Sequence, residues 1–382
     1  MDADVLVVGA GIAGLLAAAR LEEYGIGVEI AERAPTLRTT TAGIVLHPNA
    51  LGCLGRLGPR LAAQGTWIER QVSVDANGSR TLVEWRDVWG AHGLPLAVHR
   101  RILAELLAGS VRPRTVMWSA VPRELTQEGG GVTVSFADGD SRRYRLVVGA
   151  DGVGSWVRRA VDAGAETRFS GHTFVRTTIP ALEPVKFREW RLWRAGRFFF
   201  GAMPIGLART AIFLQISEAE PVKVAAEDGY QVLRDAARQM PGEVSSIVTA
   251  MRVDERFVAR PVYWSSAGRQ VRGRVALIGD AARSFSPATT QGGGMAAEDA
   301  AVLAEEIARH GCAPEALASF ERRRRARVGK FIRMARLHVA LMDAMQVRNS
   351  ARLAEPGLAE PGRTTEASRW YRKLYEPLLE AP

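Results

Sequence analysis

The stretch from Asp4 to Arg33 constrains this chain more than any other. DVLVV (4–8) is one acid followed by four apolar residues, a short run of the kind that forms a buried strand. GAGIAG follows, with Gly9, Gly11 and Gly14, and then LLAAARLEEYG, an alanine-rich helical segment that stops at Gly25. VEIAER forms the next strand and leaves Glu32 at its end, followed directly by Arg33. Each glycine has a reason to be where it is. Gly9 permits a tight turn, Gly11 lets a pyrophosphate approach the backbone, and Gly14 lets the helix pack closely on the strand. The helix N-terminus then offers free N–H groups to the phosphates, and Glu32 can accept from the adenosine ribose hydroxyls. A lone glycine fingerprint is weak. Strand, fingerprint, helix, strand and acid in this order predict a dinucleotide site on an α/β sheet. Arg33 could brace an adenine or a 2′-phosphate, or face solvent.

Two later stretches repeat the pattern of a strand ending in glycine and acid. VVGADGVGSWVRR (147–159) places Asp151 beside glycines, where it could cap the next helix or meet a cofactor. RVALIGDAARSFSPATTQGGGMAAEDA (274–300) places Gly279 and Asp280 at a strand end, Pro287 in the loop, and Gly292 and Gly293 before a helix. Three such constellations predict one extended ligand site assembled from distant segments.

Between them the rhythm changes. Residues 35–50 form a loop too long for a plain turn, suited to lie along an extended cofactor at Gly43 and Ile44, with His47 read as a surface or structural group. Residues 170–265 read as a second, sheet-containing domain. Its aromatic strands, with Trp190, Trp193 and Phe198 to Phe200, suit sheet core, and some could wall an apolar pocket. The predicted organisation is a Rossmann-like FAD-binding domain over 1–169 with inserted strands, a substrate domain mainly over 170–265, a return to the first domain with helices over 266–350, and a linker and C-terminal helix over 351–382.

Composition excludes several classes. The net charge of +10 comes from 51 basic and 41 acidic residues and favours anionic ligands. The arginines are dispersed among acids, so no nucleic-acid partner is expected, and the run Arg322 to Arg325 with Arg327 is expected to be a solvated helix face. The two cysteines, Cys53 and Cys312, imply no disulfide framework, and the six histidines form no metal-binding spacing, so no metal is expected. No apolar run reaches the roughly eighteen residues of a membrane span. The N-terminal apolar run is broken by glycines and reads as fold rather than leader. A cytoplasmic protein, monomeric or homodimeric and without stable membrane insertion, is expected.

GAGIAG with Glu32, GADG at 149–152 and GDAARSFSPATTQGGGMAAEDA together resemble the class A FAD-dependent monooxygenases, the para-hydroxybenzoate hydroxylase-like aromatic hydroxylases. The resemblance covers roughly residues 3–335. It implies non-covalent FAD, NADH or NADPH as reductant, O₂ as co-substrate, and transfer of one oxygen atom through a flavin C4a-hydroperoxide to an aromatic or polyketide-like small molecule. It implies that Arg100 contacts FAD, that Val121 offers a backbone contact to the adenine, that Asp151 lies in a motif touching FAD and the nicotinamide pyrophosphate, and that Asp280 meets the ribityl or pyrophosphate part. Pro287 would sit at the flavin rim, and Gly292 and Gly293 would bring N–H groups to the flavin pyrimidine. The chain departs from the family at Arg283, often histidine, and at Thr290, often glycine. Ala288 stands where urate hydroxylases carry an acid, which argues against urate. No general base is evident. Arg209, after GAMPIG, is the residue chosen as a substrate contact, with Arg197 second. The alternative on the same scaffold is a flavin-dependent reductase that saturates a polyprenyl chain.

Overall fold

The computed structural model describes residues 3–162, 164, 166–182, 188–265, 268–352 and 364–382. The expected linker after residue 350 falls largely outside the described residues, as does the stretch 183–187 of the expected substrate domain.

The first strand, Val5–Val8, is buried along its whole length and sits in the middle of a six-stranded sheet. It pairs in parallel with Val28–Glu32 on one side and Leu146–Gly149 on the other. Leu146–Gly149 pairs in turn with Val275–Leu277, again in parallel. This order puts the carboxyl ends of three neighbouring strands side by side, and each end runs into one of the three glycine motifs. In open α/β sheets that edge is where ligands bind. The helix Ile12–Glu23 packs its small residues, including Ala13, Ala17 and Ala18, in a shared core with Ala296, Ala297 and Ala300 of the helix Gly292–His310. Alanine on both helices permits the close approach that the crossover needs.

A seven-stranded sheet forms the second layer. In spatial order it runs Val258–Ser265, Thr167–Pro180, Arg209–Ser217, Phe198–Pro204, Glu189–Ala195, Arg70–Val74 and Arg80–Glu84. Its last two strands come from the inserted region of the first domain, so 70–84 extend the substrate sheet by a parallel pairing of Arg70–Val74 with Glu189–Ala195. Side chains alternate across it. One face buries Val175, Trp193, Phe200, Ile212 and Leu214 against the helices Gly229–Ala237 and Gly242–Ala250. The other face turns Phe174, Arg176, Trp190, Leu192, Phe199, Met203 and Phe213 toward the first domain. The aromatic strands therefore divide: Trp193, Phe198 and Phe200 are core, while Trp190 and Phe199 wall a cavity.

The C-terminal helix Thr364–Tyr375 packs back across the strand Arg80–Glu84 and the helix Trp85–Trp89. Among the described residues no helix is long and apolar enough to cross a membrane.

The run of arginines is only partly a solvated face, which corrects the expectation from sequence. Arg322 and Arg325 are exposed, but Arg324 is wholly buried. Its guanidinium donates to Glu298 and Asp299, both at 2.6 Å, and Arg327 donates to Glu298 at 2.7 and 2.8 Å. Asp299 also accepts the backbone N–H of Gly279 at 3.0 Å. Two buried carboxylates and two arginines thus hold the third glycine motif in register, which a period count could not reveal.

Candidate active site

A cavity of ≈ 390 Å³ lies between the two layers. One wall is made by the motif residues Gly11, Ile12, Ala13, Ala150, Gly152, Asp280, Pro287, Gly292 and Gly293 with Arg100. The other is the aromatic face of the substrate sheet, closed at one end by Trp85, Phe285, Tyr371 and Tyr375.

The glycines differ in what they do. A Cβ on Gly14 would lie 1.9 Å from the carbonyl oxygen of Gly9, and one on Gly9, which has φ +106°, would lie 2.7 Å from that of Ala150. Both are packing requirements. A Cβ on Gly279 would meet Ala13 at 3.0 Å, so this residue too lets the helices close on the strand end. Around Gly11, Gly152 and Gly292 a Cβ would meet nothing within 4 Å. Of these, Gly11 and Gly292 begin helices whose first N–H groups have no partner within the helix. Open space before exposed N–H donors is the shape of an anion or dinucleotide cradle. Gly293 sits against Ile44, 3.0 Å from its would-be Cβ.

Arg100 and Asp280 carry the electrostatics. Among the described residues neither side chain makes a hydrogen bond or an ion pair. Both are exposed and line the cavity, with the surrounding protein close on their other sides. Burial in the surrounding protein accordingly raises the Asp280 carboxyl, while Arg100 and Arg158 act to lower it. Burial lowers Arg100, and Asp280 opposes that. Two opposite charges with unused hydrogen-bonding capacity in one cavity suit a ligand with hydroxyls and phosphates.

Other residues named from sequence lie further from the cavity. Glu32 accepts the N–H groups of Ala10 and Ala34, each at 2.8 Å, one on each carboxylate oxygen, which orients it at its strand end with lone pairs to spare. Arg33 is exposed beside it. The carbonyl of Val121 accepts the N–H of Ala137. Asp151 takes the helix-capping alternative: its carboxylate accepts from Ser155 Oγ, Trp156 N and Val157 N at 2.5, 2.6 and 3.1 Å.

Arg209 does not line the cavity. It is held by Asp254 through two 2.8 Å contacts, by Thr178 and by Glu255 at 3.4 Å, so it is spent on joining its strand to the loop before Phe257. Arg197 pairs with Glu218 at the surface. His47, read as a surface or structural group, is buried. Trp89 Nε1 donates to its Nδ1 at 3.1 Å, which leaves the proton on Nε2 for Thr290 Oγ1 at 2.7 Å. Burial pushes its pKa down to about 3, so the ring is neutral.

Sequence reasoning passed over four contributing residues. Arg158 is 1% exposed and donates to the carbonyls of Ala281 (2.7 Å) and Val153 (2.5 Å), tying the second motif to the third. Tyr371 and Tyr375, spaced four apart on the C-terminal helix, close the aromatic end; the pattern Trp370, Tyr371, Leu374, Tyr375 is an apolar stripe that could have flagged it. Arg176 lines the cavity from the substrate sheet, and no spacing in the sequence distinguishes it.

Comparison with known proteins agrees with this geometry. Residues 2–335 match the FAD binding domain family. The chain is 32% identical over 354 residues to the 3-amino-4-hydroxybenzoate 2-monooxygenase of Streptomyces cremeus, covering 88% of this chain and 86% of that protein. It is 33% identical over 346 residues to the 2-heptyl-3-hydroxy-4(1H)-quinolone synthase of Pseudomonas aeruginosa, with 86% of each chain covered. Its fold superposes on the crystal structure of Klebsiella pneumoniae HpxO complexed with FAD and uric acid, with a TM-score of 0.85 at 23% identity, covering 100% of this chain and 97% of the other.

Proposed function

The chain belongs to the FAD binding domain family as a class A FAD-dependent monooxygenase, and on that premise we propose that it uses NADH or NADPH and O₂ to insert one oxygen atom into an aromatic or polyketide-like small molecule. The observation that carries this reading is the single cavity that joins the glycine motifs to an aromatic chamber.

FAD, when bound, supplies the electron transfer from nicotinamide to oxygen. The protein supplies position, charge and exclusion of water. In this reading the turn at Gly9–Gly14 and the helix behind it hold the pyrophosphate, and Glu32 holds the adenosine ribose. Val121 and Arg33 would serve the adenine. Arg100 and Asp280 would hold the ribityl chain. The N–H groups at Gly292 and Gly293 begin a 19-residue helix and favour negative charge on the ring edge nearest them. Pro287 lines the cavity and would stand at the rim of the ring site. The neutral His47, through Thr290, fixes the loop just after Pro287 without introducing a charge there. Trp85, Trp190, Leu192, Phe199, Met203 and Phe213 line the space for the substrate with apolar surface, which keeps water out while the reaction runs.

The experiment is an aerobic assay of the FAD-loaded protein against small aromatic compounds. A substrate should stimulate NAD(P)H oxidation and oxygen uptake together. NAD(P)H oxidation with no oxygen uptake and a saturated product would instead support a reductase.

A further inference from the structure

Arg176 stands in the middle of the long strand Thr167–Pro180, on the cavity face of the substrate sheet, opposite Phe213 of the neighbouring strand. It lines the cavity beside Phe174, with its guanidinium carbon 4.7 Å from that ring's centre. Among the described residues its side chain makes no hydrogen bond and no ion pair. Among the described residues the charge that acts on it is that of Arg100, which is of the same sign. Burial and that repulsion together lower its pKa to about 10.

A half-buried arginine turned into a cavity is normally paired, because its N–H donors give up part of their water and find acceptors in the protein. The face of Phe174 attracts the cation but offers no acceptor in the plane of the N–H groups. Arg100 differs in having Asp280 near it, and both come from the glycine-motif side of the cavity, Arg100 at the start of the helix Arg100–Ala108 and Asp280 in the helical turn Gly279–Ala281. Arg176 comes from the substrate sheet, with Phe199, Met203 and Phe213 on the same face. Its missing partner is therefore sought on the substrate.

We propose that Arg176 anchors an anionic group, a carboxylate or phenolate, of an aromatic substrate whose ring lies against the apolar face of the sheet. This rests on the reading of the cavity as a flavin monooxygenase chamber. A guanidinium presents a planar fork that matches a carboxylate, and in a low-dielectric chamber that match decides which ring compounds stay bound. Arg176 is a specificity residue in this account.

The test uses the full chain loaded with FAD and two acid–amide pairs as probes: benzoate with benzamide, and 3-hydroxybenzoate with 3-hydroxybenzamide. Binding is read from the change in the flavin absorbance spectrum. FAD affinity and circular dichroism are measured on each variant. The parent should bind the acids at least tenfold more tightly than the amides. Arg176→Gln should abolish that preference, with FAD affinity changed less than threefold, and Arg176→Lys should keep part of it. Acids bound no better than amides by the parent, or a preference that survives in Arg176→Gln, would overturn the proposal. So would an Arg176→Gln protein that folds but loses FAD, since that would place the arginine on the cofactor. Failure of the parent chain to bind FAD at all is a separate result, against the monooxygenase reading itself.

Discussion

The hydroxyl of Tyr375 donates to the carbonyl oxygen of Thr289 across 2.9 Å, joining the last helix of the chain to the loop that follows Pro287. The same hydroxyl lies 3.3 Å from Thr290 Oγ1, and its ring stacks on Trp89 with centres 5.3 Å apart. The C-terminal helix is thus part of the cavity wall. Tyr375→Phe removes a buried hydrogen bond and leaves the Thr289 carbonyl without that donor. The expected loss of stability is about 1–3 kcal/mol in urea unfolding. It should be accompanied by a larger share of NAD(P)H consumption ending as hydrogen peroxide, read with a peroxidase-coupled assay. Unchanged stability and unchanged coupling would mean that the tail only covers the surface.

The glycines of the first motif should separate by role. Gly14→Ala places a methyl 1.9 Å from the Gly9 carbonyl oxygen, so the helix must move off its strand. A loss of about 1–3 kcal/mol in the apoprotein is expected. Gly11 has φ −79°, a conformation any residue adopts, and open space at its Cβ. Gly11→Ala should leave the apoprotein as stable as the parent, yet weaken FAD binding at least tenfold, because the methyl enters the space before the helix N-terminus. Differential scanning of both apoproteins and a flavin titration decide this.

Asp280 is expected to accept from the ribityl hydroxyls. A charge-assisted bond of that kind contributes roughly 1.5–3 kcal/mol, which is about tenfold to a hundredfold in affinity. Asp280→Ala should lose that much in a flavin titration while keeping its circular dichroism. Equal affinity in two folded proteins would leave Asp280 as a loop residue.

Buried histidine sets an acid limit. The folded pKa of His47, about 3, is below the ordinary 6.5, so the folded state binds fewer protons than the unfolded one between those values. Its contribution is fully present above pH 6.5 and is lost as pH falls toward 3, at up to about 1.4 kcal/mol per pH unit. His338, lowered to about 4, acts in the same direction. His47→Gln should make the stability–pH curve shallower over pH 3–6.5. A curve parallel to the parent's would show that the ring is protonated or accessible in the folded protein.

Much of the first layer was legible because its signals are local. DVLVV, GAGIAG and Glu32 each carry their meaning within a few residues, and the two later motifs repeat a strand end beside glycine. What the sequence hid is long-range. Arg324 looks like one of a charged run until the fold places Glu298 and Asp299 around it. Arg209 and Arg176 are both arginines on cavity-side strands, but only the structure reveals that Asp254 and Glu255 take the first and leave the second unpaired. Asp151 could cap or bind, and the structure shows its carboxylate capping the helix through three donors at Ser155, Trp156 and Val157. The tail's return to the cavity depends on Tyr375 meeting Thr289, residues 86 positions apart.

On the proposed function, this chain transfers one atom of molecular oxygen to a small molecule with the help of FAD. The direct measurement is a turnover in ¹⁸O₂, with the FAD-loaded protein, NAD(P)H and a compound that stimulates oxygen uptake, followed by mass spectrometry of the product. One ¹⁸O atom should appear in the product, and none when ¹⁸O is supplied as water. A product with no label from ¹⁸O₂, or NAD(P)H oxidation that proceeds equally well without oxygen, would contradict the account.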